Sequence, residues 1–390
     1  MTAPTIDERR ALANLMSLLA IPGLSGEETD VARAVRRIAR EAGCKASWIA
    51  FDEAHLRIGD DFACGNLIVR LPGTHDGPRR LFSGHLDTVP LCRGAEPVRR
   101  GRRIVARGPT ALGGDNRTAV ACLVTVLETL LRRGLSHPPL TFLFTVGEEV
   151  GLRGARHLRV TDLGRPRLGF NVDGGDPADL WTGALGADRW DVEVLGRASH
   201  AGVHPERGIS AALIAAQAVS AAARAGWFGV IRRGRRRGTA NVGVLRGGEA
   251  TNQVTDHVLV RGESRSHDPD FVTTITDAWE GAFRRAASAV RDHRGRTGRV
   301  RFRRRADYAP FRLAADAPVV RLALEAAEAI GLRPRTGHAD GGLDANHLNA
   351  KGIPTVTLGA GQHAPHTVDE YVVVSEYLDG CRLALRLATA

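Results

Sequence analysis

Apolar positions along the chain fall into two successive textures. Segments 6–20 and 30–42 have the three-to-four-residue spacing of amphipathic helices. The stretch Asp115–Arg133 carries apolar residues at 120, 123, 124, 127, 130 and 131 before Gly134 stops it. Between these lie short, nearly continuous apolar runs at Asn66–Leu71, Leu81–Gly84, Leu140–Val146 and Leu168–Val172, which predict buried strands. Strands alternating with helices predict an α/β fold with a mostly parallel sheet sandwiched by helices. Ser25 and Glu28 have the spacing of a capping box ahead of the second helix.

The texture changes near residue 187. Strands are predicted at Trp190–Leu195, Ala240–Leu245, Val258–Glu263 and Val300–Arg304, with helices at Glu206–Arg224 and Thr273–Arg291. Two helices with about four strands suit a small α+β layer. From about residue 310 the first texture returns, with helix 317–330, strand Pro354–Leu358 and helix 375–388. The economical division is one discontinuous domain, 1–186 and 308–390, interrupted by an inserted α+β domain at 187–307.

Composition changes this picture little. The 390 residues, 43% hydrophobic and 25% charged, suit a globular protein with room for two domains. The apolar runs are strand-length, far short of the roughly 20 residues of a membrane span. The opening MTAPTIDERR turns charged at once and lacks the apolar stretch of a signal peptide. A cytoplasmic protein without membrane segments is therefore expected. Five cysteines, odd in number and without a CxxC pair, argue against a disulfide framework or a Cys-type zinc site. The net charge of +11 comes from arginine, since Lys45 and Lys351 are the only lysines. The runs Arg232–Arg237 and Arg299–Arg305 lack a recognition motif and, apart from Phe302, interleaved aromatics. They are read as solvated loop and strand face, not as a nucleic-acid site.

The chemistry sits beside predicted strand ends. His85 and Asp87 follow one strand in GHLD, where an imidazole can bind a metal and a carboxylate two residues on can fix its tautomer. Asp115 in LGGDNR stands before the long helix, where it could equally be an N-cap. Glu148 and Glu149 follow another strand; one could bind metal while the other takes a proton from water, or both could be a solvated turn. Asp173 in FNVDGG and His363 and His366 in HAPHTVDEY could each be an ordinary loop residue. Taken together they recur at consecutive strand ends, where open α/β sheets bind ligands.

The ordered motifs HLD, GGDN, GEE, VDGG, SHAG and HT, from SGEE at 25–28 to HTVDEY at 366–371, resemble the M20 family of co-catalytic zinc peptidases, nearest its peptidase T-like branch. That resemblance implies a zinc-exopeptidase-like catalytic domain with an inserted lid and dimerisation domain. It implies two Zn²⁺ per chain, with Mn²⁺ or Co²⁺ as substitutes. His85 and Asp173 would hold one ion, Glu149 and His366 the other, and Asp115 would bridge both. Asp87 would orient His85, Glu148 would be the general base, and a cis peptide is expected at Asp115–Asn116. His200 would donate a hydrogen bond to the substrate oxyanion, with His204 as second candidate; either could instead cap the helix expected near Glu206. Asn252 and Arg265 would hold substrate, and Gly341, Gly342 and Asp344 would shape the pocket. The chain departs from the common GADDK bridging motif with GGDNR, and His338 and His347 stand where smaller or apolar residues are expected. The expected substrate is a small peptide or an acylated amino acid. An aminopeptidase acting on tripeptides comes first, with carboxypeptidase and N-acyl amino acid deacylase as alternatives and a non-catalytic or nucleic-acid-binding protein as the remote one. A homodimer through the inserted domain is also implied.

Overall fold

The computed structural model describes residues 5–59 and 61–390. The chain divides into two compact units, Met1–Gly183 with Arg312–Ala390, and Ala184–Phe311.

The first unit is built on a mixed sheet. From one edge its strands run Ile49–Phe51, Leu67–Leu71, Leu140–Thr145, Arg80–His85, Leu168–Val172, Thr355–Leu358 and Asp179–Ala184. The middle four, Leu140–Thr145 to Thr355–Leu358, are mutually parallel. Their residues are buried on both faces, which is why they read as continuous apolar runs rather than alternating ones. Phe82, Phe142 and Phe170 interlock on adjacent strands, with ring centroids 5.7 and 5.3 Å apart.

The helix Gly114–Arg133 packs against this sheet and against the helices Glu8–Leu19, Thr29–Glu41 and Val374–Thr389. It is covered on nearly every side. Its buried threonines avoid an unsatisfied hydroxyl by bonding back one turn: Thr118 to the Gly114 carbonyl, Thr125 to Ala121 and Thr129 to Thr125. Gly134, at φ +59°, closes the helix in the left-handed conformation that glycine adopts without penalty.

A second, antiparallel sheet of Gln362–His363, Tyr371–Val373, Arg103–Ala106 and Pro97–Arg100 lies in the same unit. The Pro97–Ala106 hairpin was not expected from sequence. Of its residues in the two strands only Ile104 is fully buried, so arginines hide the alternation.

The inserted unit is a five-stranded antiparallel sheet in the order Gly229–Arg233, Arg236–Gly247, His257–Ser266, Gly186–Leu195 and Arg299–Tyr308. The helices Ala211–Arg224 and Pro269–Ala289 pack together and against it. Trp190 is the centre of its core, 5.1 Å from the Trp279 ring and stacked 5.7 Å from Phe302. A Cβ at Gly262 would lie 2.2 Å from Trp190, so only glycine fits beneath that indole.

Two helix starts differ from expectation. Residues Pro205–Arg207 form a separate 3-10 turn, and the helix begins at Ala211, where the Ser210 side chain accepts from the Leu213 N–H. The next helix begins at Pro269 because Asp268 caps it with bonds from the Asp270 and Phe271 N–H groups. The capping box at Ser25 and Glu28 does not form either. Glu28 makes no side-chain cap, and the Ser25 hydroxyl donates to Asp87 instead, at 2.7 Å.

Candidate metal centre

The four parallel strands deliver their carboxyl ends to one place. His85 is the last residue of Arg80–His85, Glu148 and Glu149 follow Leu140–Thr145, Asp173 follows Leu168–Val172, and His366 lies in the loop beyond Thr355–Leu358. Asp115 enters from the first turn of the helix Gly114–Arg133. This is where parallel sheets present ligand sites, because loops leaving that edge splay apart around a crevice.

Asp115 faces two imidazoles at once. Its Oδ1 lies 3.1 Å from His85 Nε2 and its Oδ2 3.5 Å from His366 Nε2. Asp173 Oδ1 stands 3.9 Å from the same His85 nitrogen, and Glu149 Oε1 2.9 Å from the same His366 nitrogen. Ligand atoms of His85, Asp115 and Glu149 fall within 4.8 Å of one another, as do those of His85, Glu148 and Asp173. Asp115 is not the helix N-cap; Gly113 is, at φ +79°. The peptide bond Asp115–Asn116 is cis.

The chemistry of these donors fits a cation. The His85 Nδ1 lies 3.0 Å from the Asp87 carbonyl oxygen and 3.4 Å from its carboxylate, so its N–H donates there. A neutral imidazole then offers only a lone pair at Nε2, towards the oxygens of Asp115 and Asp173. That arrangement is repulsive unless a proton or a metal ion lies between. Without metal the protons take up the strain. Burial opposes a charged His85, but hydrogen bonds to Asp115 and Asp87 outweigh it and hold its pKa well above the ordinary value. His366 is raised to about 10 by its bonds to Asp115 and Glu149. Burial, then the Asp115 charge, pushes Asp173 up to about 8. Nitrogen and carboxylate donors together suit Zn²⁺ and tolerate Mn²⁺ or Co²⁺.

Residues 81–390 match the model of the peptidase family M20/M25/M40. The chain belongs to this family. It is a hydrolytic metallopeptidase. A tripeptidase from Staphylococcus aureus subsp. aureus Mu50 superposes with a TM-score of 0.88 at 28% identity, covering 99% of this chain and 98% of its own. Aminopeptidase PepT from Bacillus cereus ATCC 10987 superposes with a TM-score of 0.84 at 30% identity, covering 98% of both chains. Among curated sequences, the uncharacterized protein YqjE of Bacillus subtilis strain 168 is 29% identical over 383 residues, 98% of each chain.

Around this M20 centre stand Glu370 and Gln362, which no local spacing announced, and Asp344 and Asp87, which were expected near it. Glu370 accepts from the Gly113 N–H at 2.7 Å and from the Asp115 N–H at 2.9 Å, which secures the free end of the helix that carries Asp115. Gln362 reaches Asp173 at 3.4 Å and Thr118 at 2.9 Å. Asp344 is buried, accepts from Thr145, and has its pKa raised to about 6 by burial. Asp87 is fully buried and accepts from the Glu148 and Glu149 N–H groups as well as from Ser25.

The surroundings of the other residues singled out from sequence are as follows. His363 bonds Glu376 at 2.5 Å and stacks on Tyr371. Gly341 and Gly342 lie between the strand Arg335–Ala339, which carries His338, and the helix Asp344–Ala350, which carries His347. His200, His204, Asn252 and Arg265 belong to the inserted unit. The His200 Nδ1 accepts from the Gly202 and Val203 N–H groups, so it closes its own turn and does not cap a helix. Arg265 donates from Nε and Nη2 to the two carboxylate oxygens of Glu263, at 2.8 and 3.0 Å.

The arginine runs lie on strands of the inserted unit and, at Arg235, on the turn between two of them, and acidic neighbours partly neutralise them: Arg304 with Asp188 and Asp277, Arg301 and Arg303 with Glu193, Arg236 with Asp268. All five cysteines are free. No helix of the described residues is long and apolar enough to cross a membrane.

Proposed function

We propose that the chain is a cytoplasmic aminopeptidase that cleaves tripeptides and similar small peptides with two divalent cations, zinc foremost. One observation carries this reading: Asp115 turns its two carboxylate oxygens to two different imidazoles. With Asp173 on the His85 side and Glu149 on the His366 side, each side offers one nitrogen and one carboxylate beside the shared one. That is the donor pattern a pair of neighbouring cations requires. Bound there, such ions supply polarisation of the scissile carbonyl and acidification of a water molecule.

The chain's own residues do the rest. Glu148 is only 9% exposed and lies within the same cluster. Burial, with Asp173, Asp344 and Glu149 adding to it against the opposing His85, raises its pKa well above the carboxylate range. Positive charge in the cluster would draw that value back towards neutrality, where a carboxylate can both take a proton from water and return it to a leaving amine. Asp87 holds the His85 N–H, which fixes the ring with Nε2 towards the centre. Preference for tripeptides rests on the likeness, over nearly the whole length, to a tripeptidase and to a PepT. Roles for His200, Asn252 and Arg265 towards substrate, and pairing of two copies through the inserted unit, belong to the same reading.

The test is elemental analysis of purified protein, followed by hydrolysis of free tripeptides and of N-acetyl amino acids with and without chelator. Zinc-dependent cleavage of tripeptides is expected. Cleavage of blocked substrates alone would overturn the aminopeptidase reading, and activity that survives complete metal removal would overturn the metal mechanism.

A further inference from the structure

The segment that carries Glu148 and Glu149 is held in an unusual way. Four consecutive backbone N–H groups, from Val146 to Glu149, each donate to a side-chain oxygen from another part of the chain. Val146 donates to Asn66 Oδ1 at 3.1 Å, Gly147 to Glu28 Oε1 at 2.9 Å, Glu148 to Asp87 Oδ1 at 3.0 Å and Glu149 to Asp87 Oδ2 at 3.1 Å. Asn66, Glu28 and Asp87 are all fully buried. On the other side of the segment, the carbonyls of Val146, Gly147 and Glu148 accept from the turn at residues 151–154. The backbone is thus gripped along both edges.

The grips are themselves fixed. Asn66 donates to Asp52 Oδ2 at 2.7 Å and to the Gly154 carbonyl at 3.1 Å, which sets which end of its amide faces Val146. Glu28 Oε1 also accepts from the Gly26 N–H at 3.0 Å. Gly26 and Gly147 both have left-handed φ, at +92° and +60°, and a Cβ on Gly147 would meet the Phe62 ring at 2.5 Å. The other oxygen of Glu28, Oε2, is buried with no hydrogen-bond partner among the described residues. Burying a carboxyl group with one oxygen unpaired costs stability.

We infer that Glu28 and Asn66 are positioning residues for the general base: they fix the backbone of Val146 and Gly147, while Ser25 acts on Glu148 and Glu149 through Asp87, and together they set the direction in which both glutamates leave the chain. The inference rests on the hydrolytic role proposed for Glu148.

The experiment uses the full-length, zinc-loaded protein with a tripeptide substrate, and reads kcat, KM, metal content and thermal melting. Groups that orient metal ligands typically cost about 10- to 100-fold when removed. Glu28→Ala is therefore expected to lower kcat by about that factor, with KM within about threefold and both metals retained. Glu28→Gln, which keeps an acceptor for the Gly147 N–H, is expected to restore most of the loss. Ser25→Ala, at a partly exposed position, is expected to lower kcat by about three- to tenfold without loss of folded protein. A wild-type kcat in Glu28→Ala overturns the inference, as does a loss that merely tracks unfolding or metal release. If Glu28→Ala does not fold, Ser25→Ala decides: an unchanged kcat there overturns it. A wild-type protein that hydrolyses no peptide would instead overturn the proposed function, and the inference with it.

Discussion

Replacing Glu148 by glutamine separates catalysis from assembly of the centre. The substitution keeps the shape of the side chain and removes its charge and its ability to take a proton. His85, Asp115, Glu149, Asp173 and His366 hold the positions around the two proposed ions without it, so both metals should remain. Loss of a positioned general base typically costs 10²–10⁴-fold. The buried position of Glu148, 9% exposed, leaves little room for bulk water to take over the proton. A fall in kcat of about 10³–10⁴ is expected, equivalent to about 4–5.5 kcal/mol of activation free energy. Stability of the metal-free protein should move the opposite way. The raised pKa of Glu148 means that its ionised form is disfavoured by burial and by Asp173, Asp344 and Glu149. A neutral side chain relieves that cost, and the chelated variant should be more stable than chelated wild type near pH 8. The assays are steady-state tripeptide hydrolysis, elemental analysis and chemical denaturation in chelator. Activity within tenfold of wild type would refute the base assignment. Metal loss in the variant would refute the separation of roles.

Further outcomes follow from the same geometry. His366→Ala removes the nitrogen from one side of Asp115, and metal content should fall from about two ions per chain to about one by elemental analysis; two retained ions would exclude His366 as a ligand. Glu370→Gln replaces one of two acceptor oxygens with an amide NH2 that would face an N–H donor, so chelator competition should show metal held about 10- to 100-fold more weakly. Glu28 has its pKa raised from 4.5 to about 7 by burial and by Asp87. Its folded form binds a proton that the unfolded chain has released, so its contribution is fully present below about pH 4.5 and is lost as pH rises through about 7. The denaturation free energy of chelated wild type should therefore decline by up to about 3 kcal/mol more over that window than that of Glu28→Gln; parallel curves would refute the shift. Trp279→Ala empties the centre of the inserted unit's core and should cost about 3–5 kcal/mol in chemical denaturation.

The elements legible in sequence are those whose burial is decided locally. The parallel strands are apolar on both faces, and the long helix ends at a glycine, so each announces itself within its own ten or twenty residues. The hairpin Pro97–Ala106 and the strand Gly229–Arg233 do not, because exposed arginines outnumber the buried positions in both. The start of the helix at Pro269, four residues ahead of the expected Thr273, is legible in the sequence: Asp268–Pro269 is a cap followed by the residue best suited to a first helical position. The start at Ala211 was obscured by Pro205, which opens a separate 3-10 turn first.

The centre divides along the same line. Its ligand-type residues were visible as motifs because each sits at the end of an element that sequence already located. Apart from Asp87, which stands two residues from His85, the side chains that aim them were not. Asn66 acts on a residue 80 positions away, Glu28 on one 119 away and Glu370 on one 255 away, and no periodicity links such pairs. Ser25 and Glu28 show how this misleads. Serine followed three residues later by glutamate is the pattern of a helix cap, since both side chains can reach the free N–H groups of the first turn. The same oxygens can equally accept or donate across space, and here Asp87 and the Gly147 N–H win them. The Gly147 N–H is buried, and Glu28 Oε1 satisfies it together with the Gly26 N–H. Competition for a polar side chain is settled by which partner would suffer more without it, and that is a property of burial, not of spacing.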